Sequence, residues 1–284
     1  MPLIGMREML GKAYAEGYAV GGFDGFESLS IMALLAEAKE KRSPALMICA
    51  PGEYAALGPR AVAEVARVLS GLVGVDACLH LDHANTYEEV VEAISSGFTS
   101  VMIDGSRLSF ADNMALTRKV AEYARDRNVP VEAELGAVGR VDDATHEGAG
   151  HTDDAFTDPA QAAEFVEKTG CDFLAVAIGN AHGLYRKAPS LDFGCLAKIR
   201  AATSIPLVLH GGSGTPEDQL REAVSLGIAK VNVASEISRA FNNVYIPAMQ
   251  TGKIWWAAAK RDALAAMRST IADWIRVLGS EGKG

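Results

Sequence analysis

The chain has 284 residues, of which 49% are hydrophobic and 22% are charged, and its formal net charge is −9. This length and composition allow one large domain with a substantial core. The acidic balance excludes nucleic acid and anionic membrane as partners bound through bulk charge, so an anionic ligand needs a local site.

The predicted elements alternate along the chain, because each short apolar run is followed by an amphipathic stretch. The predicted strands are residues 19–23, 45–49, 77–81, 100–103, 131–135, 173–178, 206–209 and 230–233. The predicted helices are residues 28–41, 59–71, 87–96, 110–128, 159–169, 192–202 and 216–226. Such continuous apolar runs are typical of parallel strands covered on both faces.

Eight strand–helix units over about 250 residues predict a single α/β domain, residues 1–284, with a (β/α)8 TIM-barrel fold. An open, doubly wound sheet is the competing interpretation. Ser28, Asp158 and Thr215 are the predicted N-caps of their helices. Residues 136–157 are polar, rich in glycine and long for a connection, which predicts a mobile active-site loop. Residues 236–284 predict a C-terminal helical tail.

Cysteine usage and hydropathy point to a compartment. The four cysteines lie far apart and form no CxxC pair, which is typical of reduced thiols in the cytosol. Neither a signal peptide nor a run of about 18 apolar residues is visible. We therefore expect a cytoplasmic protein that does not enter a membrane.

Polar residues follow six of the eight predicted strands, at the end where TIM barrels place their active sites. They are His80 to His83, Asp104, Glu132 with Glu134, His182 with Gly183, His210 to Gly214, and Asn232 to Ser235. No local motif links these positions, so only a closed barrel would bring them together.

Three of these residues, His83, His182 and His210, predict a metal site. Three neutral imidazoles with an open fourth position are typical of catalytic zinc. A single histidine is more often a core or rim residue. Three on one rim, with Asp104 and Glu134 nearby, favour the interpretation as ligands.

The remaining histidines are not expected to bind the metal. His80 has the opposite strand parity, so the alternation of side chains would turn it away from the mouth. His146 and His151 lie in the long loop.

Two segments at the ends of the last two strands, rich in small and hydroxyl residues, predict a phosphate site. They contain Gly211, Gly212 and Ser213 at the seventh strand, and Asn232, Val233, Ala234 and Ser235 at the eighth. TIM barrels bind phosphate at this point through backbone N–H groups and a helix N-terminus. Neutral donors of this kind would hold an anion in an acidic protein.

At these motifs the chain resembles the class II fructose-bisphosphate and tagatose-bisphosphate aldolases, and it is nearer the tagatose branch. The matching segments are 81–84 (LDHA), 101–106 (VMIDGS), 132–136 (EAELG), 157–159 (TDP), 174–185 (LAVAIGNAHGLY), 206–214 (PLVLHGGSG) and 230–236 (KVNVASE). The resemblance runs from about residue 1 to residue 240. It implies reversible cleavage of a fructose- or tagatose-type ketose 1-phosphate or 1,6-bisphosphate to dihydroxyacetone phosphate and an aldehyde, through a zinc-stabilised enediolate.

The resemblance also implies which residues hold the metal. His83, His182 and His210 match the zinc ligands of the family. Asp104 and Glu134 match positions that flank the metal and can hold it in an alternative location. The zinc acts as a Lewis acid in such a reaction.

Proton transfer is assigned by the same resemblance. Asp82 matches the acid/base that handles the oxygen of the aldehyde partner. Asp142 stands where the family has a glutamate on the loop after the fifth strand, and Asp143 is the alternative. Lys230 could suggest a Schiff-base aldolase, but the three histidines argue against that mechanism.

The substrate contacts follow the phosphate motif. Gly183, Gly211, Ser213 and Ser235 match the site for the phosphate of dihydroxyacetone phosphate, and Asn232 matches a contact to its carbonyl region. The family often binds Na+ or K+ near this phosphate. A phosphorylated sugar is thus the expected small-molecule partner.

Three departures from the family concern the aldehyde half of the substrate. Residues 22–27 read GFDGFE, where the family has an FNxxNxE pattern, so Asp24 brings negative charge toward the substrate. Residues 48–51 read ICAP instead of a more polar stretch, and residues 254–257 read IWWA instead of an Asp-Pro-Arg segment. That arginine binds a second phosphate in the family. The replacements to consider are Lys253, Lys260, Arg261, Arg186 and Lys187.

Two other functions remain open at this point. One is a metal-dependent epimerase or isomerase of sugar phosphates, and the other is a sugar-phosphate-binding paralogue without catalysis. The family and the tryptophan-bearing tail predict a homodimer or a homotetramer.

Overall fold

Eight parallel strands close into a barrel in which the first strand pairs with both the second and the last. The computed structural model describes residues 3–140, 156–185, 187–251 and 255–284. Its strands are β1 (Val20–Asp24), β2 (Ala45–Cys49), β3 (Ala77–Ala84), β4 (Ser100–Ile103), β5 (Val131–Leu135), β6 (Gly139–Arg140), β7 (Phe173–Val176), β8 (Ala181–His182), β9 (Leu207–Leu209) and β10 (Ile228–Val233). β6 and β8 pair with each other outside the barrel. The predicted TIM barrel is confirmed, and the open sheet is wrong.

Helices cover the outside of the barrel and one of its ends. They are α1 (Met6–Glu16), α2 (Ser28–Lys41), α3 (Pro51–Tyr54), α4 (Pro59–Val73), α5 (Tyr87–Ser96), α6 (Phe110–Arg125), α7 (Pro159–Thr169), α8 (Phe193–Ala202), α9 (Glu217–Ser225), α10 (Ser235–Gln250) and α11 (Trp256–Val277). The seven predicted helices and the C-terminal helical tail are present, whereas α1 and α3 were not predicted. None of the helices in the described ranges is long and apolar enough to cross a membrane.

The predicted N-caps are correct in one case and displaced by one residue in two. Asp158 caps α7, because its carboxylate accepts the N–H of the third helical residue at 2.8 Å. Glu27 rather than Ser28 caps α2, and Pro216 rather than Thr215 occupies the N-cap position of α9. An N-cap has extended backbone angles, and sequence alone locates that change of angle only to within a residue.

Alternation along the strands divides the core into an outer layer and a barrel interior. Val20, Leu46 and Val208 face inward and form one apolar cluster with residues of α1, which closes the amino-terminal end of the barrel. The strand residues that alternate with these inward-facing ones pack outward against the helices. Toward the carboxyl ends the interior becomes polar but stays buried. Its side chains there are His80, Asp82, Ser100, Glu132, Glu134, His210, Lys230 and Asn232.

The helix layer has a clear test at Phe165 on α7, which is fully buried and packs against Phe110 on α6 with ring centroids 6.2 Å apart. We expect Phe165→Ala to lower the free energy of unfolding by about 3–5 kcal/mol, because it leaves a cavity between two helices. Denaturant unfolding measures this change. Leu72→Ala is the control, since Leu72 is 75% exposed and its removal should change stability by less than about 0.5 kcal/mol. Equal losses in the two variants would contradict this packing.

Candidate active site

A bulge in β3 turns two adjacent residues toward the barrel interior. Leu81 and Ala84 both pack outward, yet three residues of β3 advance between them against two residues of β4. His83 takes up the extra residue with a left-handed backbone angle, φ 49°. Asp82 and His83 can therefore both face the mouth, which regular alternation would forbid.

Three imidazoles meet at this mouth. The ring centroids lie 4.8 Å apart for His83 and His182, 4.6 Å for His83 and His210, and 5.7 Å for His182 and His210. Each ring offers a nitrogen within 4.8 Å of the nitrogens of the other two. Nitrogens that share a zinc ion at about 2.0–2.1 Å each lie roughly 3–4 Å apart, so this group has the dimensions of a zinc site.

The far nitrogens of two of these rings are held by carboxylates. His83 donates from Nδ1 to Asp104 Oδ2 at 2.8 Å, and His210 donates from Nε2 to Glu132 Oε1 at 2.8 Å. These bonds fix the ring tautomers and turn His83 Nε2 toward His210 Nδ1, 2.8 Å away. Two unprotonated nitrogens that face each other so closely repel unless a cation or a proton lies between them. Carboxylates behind the rings are the usual surroundings of a metal-bound histidine.

The pKa values of the two facing rings are shifted in opposite directions. Burial lowers the pKa of His83, but the charge of Asp82 and the hydrogen bond to Asp104 outweigh burial and raise it to about 9. Burial and the neighbouring His83 charge hold the pKa of His210 well below its ordinary value. A metal ion at this position would take the place of the proton.

Glu134 lies beside the same rings, and one of its carboxylate oxygens lacks a hydrogen-bond partner. Its Oε2 is buried without a hydrogen-bond partner and lies 3.5 Å from His210 Nδ1. Burial, with the charge of Asp104 next, raises the pKa of Glu134 to about 8. His83, Asp104 and Glu134 form a second group whose ligand atoms could hold a metal. The two groups share His83, as the predicted alternative metal position requires.

Asp82 is buried and ionised. Burial alone would raise the pKa of Asp82, but the charges of His83 and Lys230 and a hydrogen bond from Asn232 lower it to about 2. The Asn232 amide donates to both carboxylate oxygens, at 3.0 and 3.2 Å. Asp82 is therefore an oriented proton acceptor at neutral pH.

A cradle of small uncharged residues, Gly183, Gly211, Ser213 and Ser235, lies on the β9 and β10 side of the mouth. It forms part of a cavity of about 110 Å³, which is also lined by Ile48 of β2, Asp82 of β3, His182 of β8, and Asn232 and Ala234 at the end of β10. Gly211 has φ +66°, and a Cβ at this position would lie 1.9 Å from the carbonyl oxygen of Ala181. Tyr185 joins these two segments, because its hydroxyl accepts from Ala181 N and donates to Gly211 O. Only glycine allows so close an approach of the two chain segments.

Ser213 links the cradle to the start of α10. Its Oγ accepts the backbone N–H of Glu236 at 3.1 Å, so the hydroxyl hydrogen remains available as a donor. α10 begins at Ser235, directly after β10. Together these features are typical of a phosphate site at a helix N-terminus.

Comparison with known proteins agrees with this geometry. The family model for class II fructose-bisphosphate aldolase matches residues 4–283. A fructose-bisphosphate aldolase of Geobacillus stearothermophilus is 40% identical over 300 aligned positions, which cover all of this chain and 99% of the relative.

The chain belongs to the class II fructose-bisphosphate aldolase family. It is therefore a carbon–carbon lyase of the aldolase type, and this class depends on zinc.

Two solved structures are similar over nearly the whole chain. The YdjI aldolase from Escherichia coli K12 has a TM-score of 0.87 and 32% identity, with 99% of each chain covered. Fructose-bisphosphate aldolase from Campylobacter jejuni has a TM-score of 0.81 at 22% identity and covers 100% of this chain and 97% of its own; that likeness concerns the fold.

Several predicted residues do not enter the pocket or lie outside the described residues. Gly212 does not line the cavity, and a Cβ there would be 2.4 Å from the Val231 side chain. The Val233 side chain is fully buried and packs in the outer layer, against the helices. The aldolase loop residues Asp142, Asp143, His146 and His151 lie outside the described residues, as do Arg186 and Lys253.

The parity argument about His80 was wrong. His80 shares the inward orientation of Asp82 and lies one layer deeper, where its Nδ1 is 2.9 Å from Ser100 Oγ. It forms a third potential ligand group with Asp82 and Glu132. Counting from His83 gave the wrong face, because the bulge shifts His83 by one position relative to His80.

The sequence did not reveal that Glu132 holds His210, nor that Lys230 forms a buried ion pair with Glu132. Glu132 is fully buried, and besides His210 it accepts from Lys230 Nζ at 2.7 Å. Lys230 also lies 4.0 Å from Asp82 Oδ1, so its charge compensates the carboxylates beneath the three imidazoles. The Glu-x-Glu spacing of β5 was the available signal, because it turns Glu132 inward together with Glu134.

The buried pair between Glu132 and Lys230 should respond to substitution in a characteristic way. We expect Glu132→Gln to lower the free energy of unfolding by about 3–5 kcal/mol, since the buried Lys230 charge then keeps only the more distant Asp82, 4.0 Å away, as a counter-charge. The double variant with Lys230→Met should recover part of that loss, because the buried ammonium is removed while Asp82 keeps its hydrogen bonds from Asn232. A denaturant double-mutant cycle measures both effects. Additive losses, or a single loss below about 1 kcal/mol, would contradict the pairing.

Proposed function

We propose that this aldolase reversibly cleaves a ketose 1-phosphate or ketose 1,6-bisphosphate of the fructose or tagatose type to dihydroxyacetone phosphate and an aldehyde. The observation that carries the proposal is the convergence of three histidines, the ionised Asp82 and a neutral anion cradle at one barrel mouth. The tagatose-bisphosphate branch is the finer assignment, supported by the motifs at the strand ends.

His83, His182 and His210 are the proposed zinc ligands, with Asp104 and Glu132 fixing the rings of His83 and His210 from behind. Bound zinc supplies a Lewis acid that stabilises negative charge on the ketose oxygens. The unsatisfied Glu134 supports an alternative metal position formed with His83 and Asp104.

Asp82 is the proposed acid/base on the oxygen that becomes the aldehyde. In the cleavage direction a hydroxyl must lose its proton, and the Asp82 carboxylate is in the state that accepts it. Asn232 holds both carboxylate oxygens, so the acceptor is fixed before the substrate arrives. In the synthetic direction the same carboxyl group returns the proton.

The cradle is the proposed phosphate site of the dihydroxyacetone phosphate half. The N-terminus of α10 and the Ser213 hydroxyl offer donors without a full positive charge, and glycines at 183 and 211 let the backbone approach. Binding the phosphate away from the reacting bond orients the substrate. Asn232 lines the same cavity and donates to Asp82, consistent with a contact to the carbonyl region.

Other features of the proposal rest on the sequence. Asp142, with Asp143 as the alternative, remains the predicted base for the nucleophilic carbon, and Na+ or K+ near the phosphate remains a prediction. A homodimer or homotetramer is supported by exposed tail tryptophans, since Trp255 is 73% and Trp256 is 53% exposed. A cytoplasmic location is supported by the free cysteines, and residues 1–284 are proposed to be one domain.

The proposal is tested by the release of dihydroxyacetone phosphate from fructose and tagatose 1-phosphates and 1,6-bisphosphates. We expect Asp82→Asn to lower kcat about 10²- to 10⁴-fold, because the proton acceptor is lost. Chelation should abolish activity, and added zinc should restore it. Steady-state kinetics with a coupled dehydrogenase assay measures these changes.

Glu122→Gln is the matched control, because it removes an exposed carboxylate on the outer helix α6. Activity that persists after complete removal of metal would contradict the proposal. Solvent isotope exchange into the ketose without any aldehyde would instead favour an epimerase or isomerase, and binding without turnover would favour a non-catalytic paralogue.

A further inference from the structure

Asp24 stands at the carboxyl end of β1, a strand that pairs with β10 on one side and with β2 on the other. It is the last residue of β1 and has the same inward parity as Val20 and Gly22. Its register partner on β2 is Ile48, which lines the active-site cavity. The charges that act on Asp24 are those of Glu53 and Asp82, and both are negative.

Glu53 extends this acidic wall from α3. Its Oε2 accepts the backbone N–H of Ala50 at 2.7 Å, which holds the side chain at the start of the helix. The Glu53 and Asp24 carboxyl groups lie within hydrogen-bonding reach of each other. Burial, with the charge of Glu53 next, raises the pKa of Asp24 well above its ordinary value. Two neighbouring carboxyl groups offer several acceptor oxygens, which suits hydroxyl groups.

An independent observation points to a hydroxyl-bearing ligand. Asn232 is 6% exposed and lines the cavity; its amide nitrogen donates to Asp82, whereas its Oδ1 is buried without a hydrogen-bond partner. A Cβ on Gly22 would lie 3.0 Å from this oxygen, so glycine leaves room at this point. A buried acceptor left unpaired is unfavourable, and a substrate hydroxyl would satisfy it.

The mouth is thus polarised. The β9 and β10 side offers neutral donors to one phosphate, whereas the side formed by β1, α3 and β3 offers Asp24, Glu53 and Asp82. A second phosphate directed to that side would face like charge, which is costly in a partly desolvated site. Two cations considered for a second phosphate are engaged within α11: Lys260 lies over the Trp256 ring at 4.4 Å, and Arg261 pairs with Asp262 at 2.9 Å.

We infer that Asp24 and Glu53 select an uncharged, hydroxylated aldehyde, so that the substrate is a ketose 1-phosphate with a polyol tail and not a bisphosphate. This inference rests on the proposed function, since it concerns the other half of the same substrate. It assigns Asp24 and Glu53 to specificity and leaves the proton transfer to Asp82.

The test is condensation of dihydroxyacetone phosphate with either racemic glyceraldehyde or racemic glyceraldehyde 3-phosphate by the zinc-loaded enzyme. These aldehydes differ only in the phosphate, and consumption of dihydroxyacetone phosphate is independent of the stereochemistry of the product. We expect kcat/KM to be at least about tenfold higher for glyceraldehyde. Asp24→Asn and, separately, Glu53→Gln should shift this ratio toward the phosphorylated aldehyde by about tenfold.

Glu122→Gln is again the matched control and should leave the ratio unchanged. Equal use of the two aldehydes, preference for the phosphorylated one, or a ratio unmoved in both variants would overturn the inference and leave the proposed function intact. No condensation with either aldehyde would overturn the proposed function and this inference with it. Two variants on different elements, one on β1 and one on α3, keep the test decisive if one of them folds poorly.

Discussion

The site depends on one extra residue in β3. A regular strand turns neighbouring side chains to opposite faces. In such a strand an aspartate and the histidine that follows it could not both face one cavity. The bulge between Leu81 and Ala84 removes that restriction, and the left-handed backbone of His83 is its visible mark. As a result His83 reaches His182 and His210, while Asp82 reaches Asn232 and the polar interior below.

The second constraint is the compensation of buried charge. The carboxylates below the three imidazoles would be unstable in the barrel without cations or hydrogen-bond donors. Glu132 meets this requirement twice, because one oxygen accepts from His210 and the other from Lys230. Glu134, in contrast, keeps an unpaired oxygen directed toward the imidazoles. The charge of Glu132 is therefore compensated at depth, whereas Glu134 keeps an unpaired acceptor oxygen at the mouth.

The fold and the principal site residues could be predicted from the sequence because both follow from simple regularities. Apolar runs mark buried parallel strands, and polar residues at their carboxyl ends mark the mouth. The convergence of His83, His182 and His210 was predicted on this basis, and their ring nitrogens lie close together at the mouth. What failed were features that depend on local irregularity or on barrel closure. Periodicity does not reveal a bulge, so His80 was placed on the wrong face. The partners of Glu132 are His210, directly after β9, and Lys230 on β10, and the curvature of the barrel brings both toward β5.

The central claim is that three imidazoles share one zinc ion at this mouth. X-ray absorption at the zinc edge of the loaded enzyme tests it most directly, because it reports the type, number and distance of the ligand atoms. The account predicts a shell of three imidazole nitrogens at about 2.0–2.1 Å, completed by oxygen. A spectrum with sulfur ligands at about 2.3 Å, or with oxygen ligands alone, would contradict it.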